Sequence, residues 1–146
     1  MNELNAELQR LSRDFDSPET LDIAKVYASM FTPGYLENAS APTIRIRKKK
    51  VYEFFIDPDS HQRKIIVNIL NRRYDNVIAK AVVEVPELTD KNINYIIYAL
   101  AGFSVASISV ILDEAINSVY VRRHRLRAIL SKSDTESARV LLCLLD

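Results

Sequence analysis

The side chains best suited to chemistry are concentrated between residues 115 and 132, where basic residues recur and no acidic residue occurs. The basic residues of this segment are Arg122, Arg123, Arg125, Arg127 and Lys132. Arginine and lysine bind phosphate groups, small polar or planar side chains bind the edges of bases, and the segment contains both types. The residue types therefore point to nucleic-acid binding rather than to catalysis.

The spacing of these residues predicts a helix over residues 115–130 with two unlike faces. At about 100° per residue, three apolar side chains share one face: Val119, Leu126 and Leu130. The opposite face carries small, planar or polar side chains: Asn117, Tyr120, Val121, His124 and Ala128. Such a face fits the major groove of duplex DNA, and Arg125 and Arg127 lie on its flanks, where phosphates of opposite strands pass.

Three further residues of this helix are candidates for DNA contact. Ser118 lies in its first turn. Arg122 and Arg123 lie nearer the apolar face, where two interpretations stay open. Their stems are expected to pack inward, while the guanidinium groups reach either a phosphate or an acidic partner such as Asp90 or Glu87.

The residue patterns of a catalytic or metal site are missing from the sequence. Its two histidines, His61 and His124, lie in different segments, and no glycine-rich phosphate loop occurs. The lone cysteine, Cys143, cannot form a disulfide or a thiolate metal site by itself, and its apolar neighbours predict that it is buried. We expect no enzymatic activity, no cofactor and no bound metal.

Composition and charge describe a chain with a substantial core and an uneven charge distribution. With 146 residues, 48% hydrophobic and 27% charged, it fits one domain of ordinary size. The net charge of +1 hides an acidic N-terminal part, because residues 1–40 carry seven acids and three bases. No apolar run reaches the roughly eighteen residues of a membrane span, and the N-terminus lacks the pattern of a signal peptide. A cytoplasmic protein without membrane contact in this chain is expected.

Apolar residues at spacings of three and four, with only two glycines and no hairpin signals, predict an all-α fold. We divide it into a helical N-terminal and dimerisation region, 1–86, and a helix-turn-helix domain, 87–146. In the first region, helices are expected over residues 2–15 and 18–31. Residues 42–56 are ambiguous between helix and strand, and the helix is favoured.

Two features of the N-terminal region have alternative interpretations. The basic run Arg45–Lys50 is expected to be a solvated helix face, with contact to nucleic acid as the alternative. A long central helix is expected from Asp57-Pro58 to Glu84, since an apolar seam at alternating steps of three and four runs through it. The seam consists of Val67, Leu70, Tyr74, Val77 and Ala81. It is expected to be buried within its own domain, and a seam shared with a second copy is the alternative.

Capping and turn residues mark the boundaries of the C-terminal domain. Thr89 is expected to cap a first helix that Gly102 ends, and Ser104 to cap a second helix. The tight turn before the third helix is expected at Asp113, since aspartate tolerates the left-handed conformation. A capping box at Ser133–Glu136 predicts a last helix over residues 137–145.

The segment 88–130 resembles the DNA-binding module of LuxR-type response regulators and the related fourth region of sigma factors. The residues that carry the resemblance are Leu88-Thr89, Gly102-Phe103-Ser104, Ile108, Leu112, Ser118-Val119, Arg125 and Leu130. More narrowly, the segment is similar to the C-terminal part of a group of Bacteroidetes regulators. Many of those carry helical repeats and a membrane span, so this chain is expected to be a short relative or a cytoplasmic fragment. It departs from the family pattern at Ala115, where a capping serine is usual, and at Glu114, where a hydrophobic residue is usual.

The resemblance implies a transcriptional regulator that docks the helix over residues 115–130 in the major groove of double-stranded DNA, as a homodimer. LuxR-type modules often dimerise through their final helix. A second interpretation, from another functional class, is a helical interaction module that docks on RNA polymerase or on a sensor protein without binding DNA.

Overall fold

The computed structural model describes residues 37–145, and within these residues it contains seven helices and no strand. The helices are α1 (Ala41–Phe55), α2 (His61–Arg73), α3 (Val77–Glu84), α4 (Asp90–Leu100), α5 (Val105–Leu112), α6 (Ile116–Lys132) and α7 (Glu136–Leu144). The predicted all-α class is confirmed for this part of the chain, and the helices predicted over residues 2–15 and 18–31 lie outside it. No helix in this part is long and apolar enough to cross a membrane.

Helix α1 resolves the ambiguity of the basic segment. Ser40 caps the helix, because its side chain accepts a hydrogen bond from the N–H of Thr43 at 3.3 Å. Val51 and Phe55, four residues apart, are buried, whereas Ile46 is exposed. The favoured interpretation of this segment, a helix, is confirmed.

The prediction of one long helix over residues 57–84 is wrong about where the helix begins. Helix α2 begins after Ser60, whose side chain accepts a hydrogen bond from the N–H of Arg63 at 3.4 Å. The Asp57 carboxylate instead accepts a hydrogen bond from the N–H of Asp59 at 3.0 Å. An aspartate that bonds to the backbone two residues on forms a turn, so the chain enters the helix later than the aspartate-proline pair predicts.

The predicted long helix is also broken in its middle. Asp75 and Asn76 both have left-handed backbones, with φ angles of 54° and 59°. Aspartate and asparagine are the non-glycine residues that adopt this conformation most readily. The Oδ1 atom of Asn71 accepts hydrogen bonds from the N–H groups of Ile78 and Ala79, at 3.0 and 3.1 Å. Helix α3 is therefore capped by a side chain of the preceding helix.

The predicted apolar seam is consequently divided between two helices that pack on each other. Leu70 of α2 and Val77 and Ala81 of α3 are buried in the core of this chain. Val82 and Val83, the next two residues of α3, are exposed by 55% and 79%. A continuous seam along one helix is not formed, because the left-handed backbone at Asp75 and Asn76 separates α2 from α3.

The first turn of the helix-turn-helix segment follows the predicted boundaries. Thr89 caps α4 in a reciprocal capping box, accepting from the Asn92 N–H at 3.2 Å and donating its own N–H to the Asn92 side chain at 2.9 Å. Gly102 ends α4 with a φ of 102°, and the N–H of Phe103 donates to the carbonyl of Tyr98 at 3.1 Å. The rings of Tyr98 and Phe103 meet edge-on, with centroids 5.5 Å apart. These contacts form a Schellman motif, which requires a left-handed residue where the glycine lies.

The second turn of this segment is built on Asp113. Ser104 caps α5, as predicted, and Asp113 ends that helix with φ 55° and ψ 43°. The N–H of Asp113 donates to the carbonyl of Val110 at 3.2 Å, and the N–H of Glu114 donates to the carbonyl of Ser109 at 3.0 Å. The prediction of a left-handed aspartate at this turn is confirmed.

The last helix, α7, begins one residue earlier than predicted. Its cap is Thr135 rather than Ser133, since the Thr135 side chain accepts from the backbone N–H three residues on, at 3.4 Å. Cys143 is exposed, so the prediction that it is buried is wrong. Leu141 and Leu145 are the buried residues on either side of it. Cys143 lies midway between them and therefore points away from the core.

One hydrophobic core joins the helices before and after residue 86, the predicted domain boundary. Phe55 of α1 meets the ring of Phe103 edge-on at a centroid distance of 5.1 Å and the ring of Tyr98 at 6.1 Å. Aromatic pairs at such distances stabilise a core beyond their buried area. Helix α1 therefore packs against the connection between α4 and α5.

Candidate nucleic-acid interface

Helix α6 is anchored through one narrow stripe. Val119, Leu126 and Leu130 are fully buried, as their spacing predicts. The helix packs against α5 and α7. Its 17 residues correspond to a length of about 25 Å. A helix of this length with one buried stripe presents a long surface to solvent.

The face opposite this stripe is exposed. All five residues of the predicted face are exposed, Asn117, Tyr120, Val121, His124 and Ala128, and so are Ser118 and Arg125 beside it. Six of the nine residues predicted to contact DNA are therefore exposed, and the other three, Arg122, Arg123 and Arg127, are half-buried. The large side chain of Tyr120 is 51% exposed and that of Val121 is 48% exposed, so this face combines apolar atoms with hydrogen-bonding edges.

A wide groove of about 870 Å³ lies between the start of α4 and one side of α6. Helix α4 contributes Lys91 and Asn92 to it, and α6 contributes Asn117, Val121 and Arg125 among others. The charged residues of its lining are Lys91, Arg122, Arg125 and Glu114. Three of these four are basic, so the groove favours an anionic ligand.

Lys91 is a member of this surface that the sequence reasoning misses. It lies 34 positions before Arg125 in the sequence, yet both line the same groove. A lysine in the first turn of a helix is common on protein surfaces. Residue type and local spacing do not predict this proximity, because it depends on how α4 and α6 pack in the folded chain.

Two arginines of α6 are held by other parts of the chain. The Arg122 guanidinium pairs with the carboxylate of Glu114, in the turn before the helix. The Arg123 guanidinium donates to the backbone carbonyl of Leu145 at 2.9 Å. The acidic partner of Arg122 is therefore Glu114, and the two acids proposed for this role from the sequence are wrong. The tight turn brings Glu114 alongside the second turn of α6.

The other two arginines of α6 differ in exposure. Arg125 is exposed and lines the groove. Arg127 is half-buried, and one nitrogen of its guanidinium is shielded from solvent. The two flanks of the exposed face are therefore unequal, because Arg125 is exposed on one flank and Arg127 is partly covered on the other.

The start of α6 has no side-chain cap. Ala115 occupies the capping position and has no oxygen with which to accept a hydrogen bond from the first turn. Its carbonyl accepts from the N–H groups of Ser118 and Val119 at 3.0 and 3.3 Å. The hydroxyl of Ser109 donates to the carbonyl of Glu114 at 2.8 Å. The preceding helix thus contributes to holding the turn that leads into α6.

Tyr95 of α4 lies close to two residues of α6. Burial raises the pKa of the Tyr95 phenol above its usual value of 10.0, an effect that the positive charge of Arg123 reduces and the phenol of Tyr120 increases. The Tyr95 hydroxyl is therefore protonated and neutral at physiological pH. It adds no negative charge to the basic surface beside it.

Comparison with known proteins gives no relative for the chain, since no protein-family model, no curated protein and no solved structure matches it at a significant level. The resemblance to LuxR-type modules stays a prediction. Any functional assignment rests on the residues and geometry described above.

Proposed function

We propose that this chain binds double-stranded DNA by docking α6 in the major groove, and that it acts as a transcriptional regulator. The observation that carries the proposal is an exposed face of small, planar and polar side chains on α6, beside a groove in which basic residues predominate. The major groove is about 12 Å wide and admits one helix. Because only one stripe of α6 is buried, its other side is available for such docking.

The residues of this surface divide into two kinds of contact. Arg125 and Lys91 bind phosphates and supply affinity that is independent of the base sequence. The base edges are contacted by the residues of the exposed face: Asn117, Tyr120, Val121 and His124. Ser118 is placed for a phosphate or sugar contact at the start of the helix. Arg122 and Arg127, which are half-buried, have a smaller part in binding.

The proposal includes a homodimer that binds two half-sites. A dimer with two-fold symmetry places its two DNA-contacting helices about one helical turn of DNA apart. Apolar residues available for contact with a second copy are Val140 and Leu144 of α7, both exposed. The LuxR-type family and the cytoplasmic location expected from the sequence belong to the same proposal.

The DNA-binding proposal is tested by selecting duplexes from a random library with the purified chain. The affinity for a selected duplex is then measured by fluorescence anisotropy from about 50 to about 200 mM salt. We expect enrichment of a defined site and a linear fall of log affinity with log salt, by about 0.9 per phosphate contact. Failure to bind duplex DNA at low salt, or affinity that does not depend on salt, contradicts the proposal.

The position of the binding surface is tested with two matched variants. Arg125→Gln removes an exposed charge from the groove, and Lys64→Gln removes an exposed charge from α2. We expect Arg125→Gln to weaken binding and to make the salt dependence shallower by about 0.9, while Lys64→Gln leaves both unchanged. Equal effects of the two variants indicate that binding does not use α6.

The dimer is tested by the mass of the chain in solution. A particle of twice the mass of one chain supports it, and selected duplexes should then contain two half-sites related by symmetry. A monomer that binds a single half-site contradicts the dimer and leaves the role of α6 intact.

The alternative function, a helical module that docks on RNA polymerase or on a sensor protein, is favoured by one observation. Val82 and Val83 are adjacent and exposed on α3, where a partner can cover them. Under this alternative the chain binds no duplex DNA, Val83→Asp abolishes docking on the partner, and Arg125→Glu leaves docking intact. Duplex binding that is lost in Arg125→Glu and kept in Val83→Asp supports the DNA-binding proposal instead. Docking that survives in a folded Val83→Asp variant contradicts the alternative.

A further inference from the structure

The start of α6 lacks a side-chain cap. Ala115 stands at the capping position and leaves the N–H groups of the first turn without a side-chain acceptor. Helices in folded proteins normally satisfy these N–H groups with a capping oxygen, and its loss destabilises the start of the helix. A helix that must present its N-terminal half to a ligand needs another means of holding that half in place.

Glu114 supplies contacts on both sides of this turn. Its N–H donates to the carbonyl of Ser109 at 3.0 Å, and its own carbonyl accepts from the Ser109 hydroxyl at 2.8 Å. Its carboxylate accepts from the guanidinium of Arg122, in the second turn of α6. One residue thus bonds to the end of α5 through its backbone and to α6 through its side chain.

The environment of the ion pair makes it more effective than one on an open surface. The side chain of Arg122 is 24% exposed and that of Glu114 is 32% exposed. Water and salt screen the attraction in exposed ion pairs, and most of these pairs are therefore weak. Partial burial reduces this screening. The two residues also line both the large groove and a smaller cavity of about 130 Å³ beside Tyr95 and Tyr98, so the pair lies in the wall between these spaces.

We propose that Glu114 and Arg122 form a clamp that orients α6 relative to α5, in place of the missing cap at Ala115. Arg122 is then a positioning residue and not a phosphate contact, and phosphate binding on this flank is left to Arg125. The effect of the clamp on DNA affinity rests on the proposed function, whereas the clamp itself is a property of the free protein. One measurement therefore tests the clamp in the free protein, and a second tests its effect on DNA binding.

The first measurement is amide hydrogen exchange in the free protein. Glu114→Ala should increase exchange at Ser118 and Val119, whose N–H groups donate to the Ala115 carbonyl at the start of α6, by about tenfold, because local opening becomes more favourable. Amides of α1 and α2 should be unchanged, which controls for general destabilisation. Adding Ala115→Ser to Glu114→Ala should restore protection, since a serine cap performs the task assigned to the clamp. Unchanged exchange in Glu114→Ala overturns the clamp.

The second measurement is DNA affinity in a charge swap. Glu114→Arg and Arg122→Glu should each weaken binding by about tenfold, and the double variant should recover most of the loss, because the pair is restored in reverse. The matched control is the pair of Arg139 on α7 and Asp134 just before that helix, whose side chains are 61% and 103% exposed. Reversing that pair should change nothing.

The outcomes of the two measurements are distinguishable. If the double variant regains normal hydrogen exchange but binds DNA as weakly as Arg122→Glu, Arg122 contacts phosphate directly and its positioning role is overturned. If the unaltered chain binds no duplex, the proposed function fails, and hydrogen exchange alone still decides whether the clamp exists.

Discussion

Two turns of the molecule, one at Asp75 and one at Asp113, have similar local geometry and opposite consequences. In each, an aspartate follows a helix with a left-handed backbone, with φ angles of 54° and 55°. After the first turn, α3 returns Val77 and Ala81 to the core. After the second, α6 leaves most of its residues partly or fully exposed. The turn residue decides where a helix ends, and the apolar spacing beyond it decides whether the next helix fills the core or presents a surface.

The two helices that follow these turns also start differently. Helix α3 is capped by Asn71, whose side chain accepts two backbone hydrogen bonds across the turn. Helix α6 starts at an alanine cap and is tied to its turn by the pair of Glu114 and Arg122. The start of the buried helix is held by neutral hydrogen bonds, and the start of the exposed helix is held by a charged contact.

The largest effect is expected from the buried stripe of α6. Leu126→Ala should lower the free energy of unfolding by about 2–5 kcal/mol, because it removes a fully buried side chain and leaves a cavity. Val121→Ala, on the exposed face, should change it by less than about 0.5 kcal/mol. Urea denaturation measures both. Similar losses in the two variants would mean that α6 is not divided into an anchored stripe and an available face.

The next effect concerns the cap that reaches α3 from the preceding helix. Asn71→Ala should destabilise the protein by about 1–2 kcal/mol, since two N–H groups lose their acceptor. The control is Asn68→Ala, an exposed position one turn earlier in α2. If both variants unfold at the same urea concentration, the turn at Asp75 does not depend on this side chain.

A smaller gain is expected where α6 lacks its cap. Ala115→Ser should raise the free energy of unfolding by about 1 kcal/mol, because the hydroxyl can accept from the first turn of the helix. Ala128→Ser, within the same helix, should instead lower it by about 0.5 kcal/mol or less, as serine is a poorer helix former than alanine. No gain at position 115 would indicate that the existing contacts already satisfy the start of α6.

The smallest effect tests whether the two turns are equivalent. Asp75→Gly and Asp113→Gly should each stabilise the protein by about 0.5 kcal/mol, because glycine adopts the left-handed conformation without steric cost. Asp90→Gly, at the start of α4, should destabilise it by about 1 kcal/mol. Thermal unfolding of the three variants provides the comparison, and a loss at either turn would mean that its aspartate side chain has a further role.

The sequence predicts the C-terminal helices better than the preceding ones, for a local reason. Thr89, Gly102, Ser104 and Asp113 each stand at a boundary and each act within a few residues, so residue type and position suffice. Between α2 and α3, apolar spacing continues across the turn and hides the boundary. The Asp75-Asn76 pair was the available signal, since both residues tolerate a left-handed backbone.

The candidate site was predictable in outline and not in its contacts. Helical spacing separates the buried stripe of α6 from its exposed face, because both depend on one helix. It does not reveal that Lys91 shares a groove with Arg125, or that Arg127 is partly covered. Those facts depend on how helices distant in the sequence pack together.

The sequence by itself determined the all-α class of the described helices, the end of α4 at Gly102, the left-handed turn at Asp113, and the two faces of α6. Local backbone preferences and a repeat of about 3.6 residues per turn are sufficient for each of these. The tertiary structure decided which arginines remain available to a ligand. Arg123, for example, donates to a carbonyl 22 residues away. Such a partner is set by the packing of α7 on α6, which no local pattern encodes.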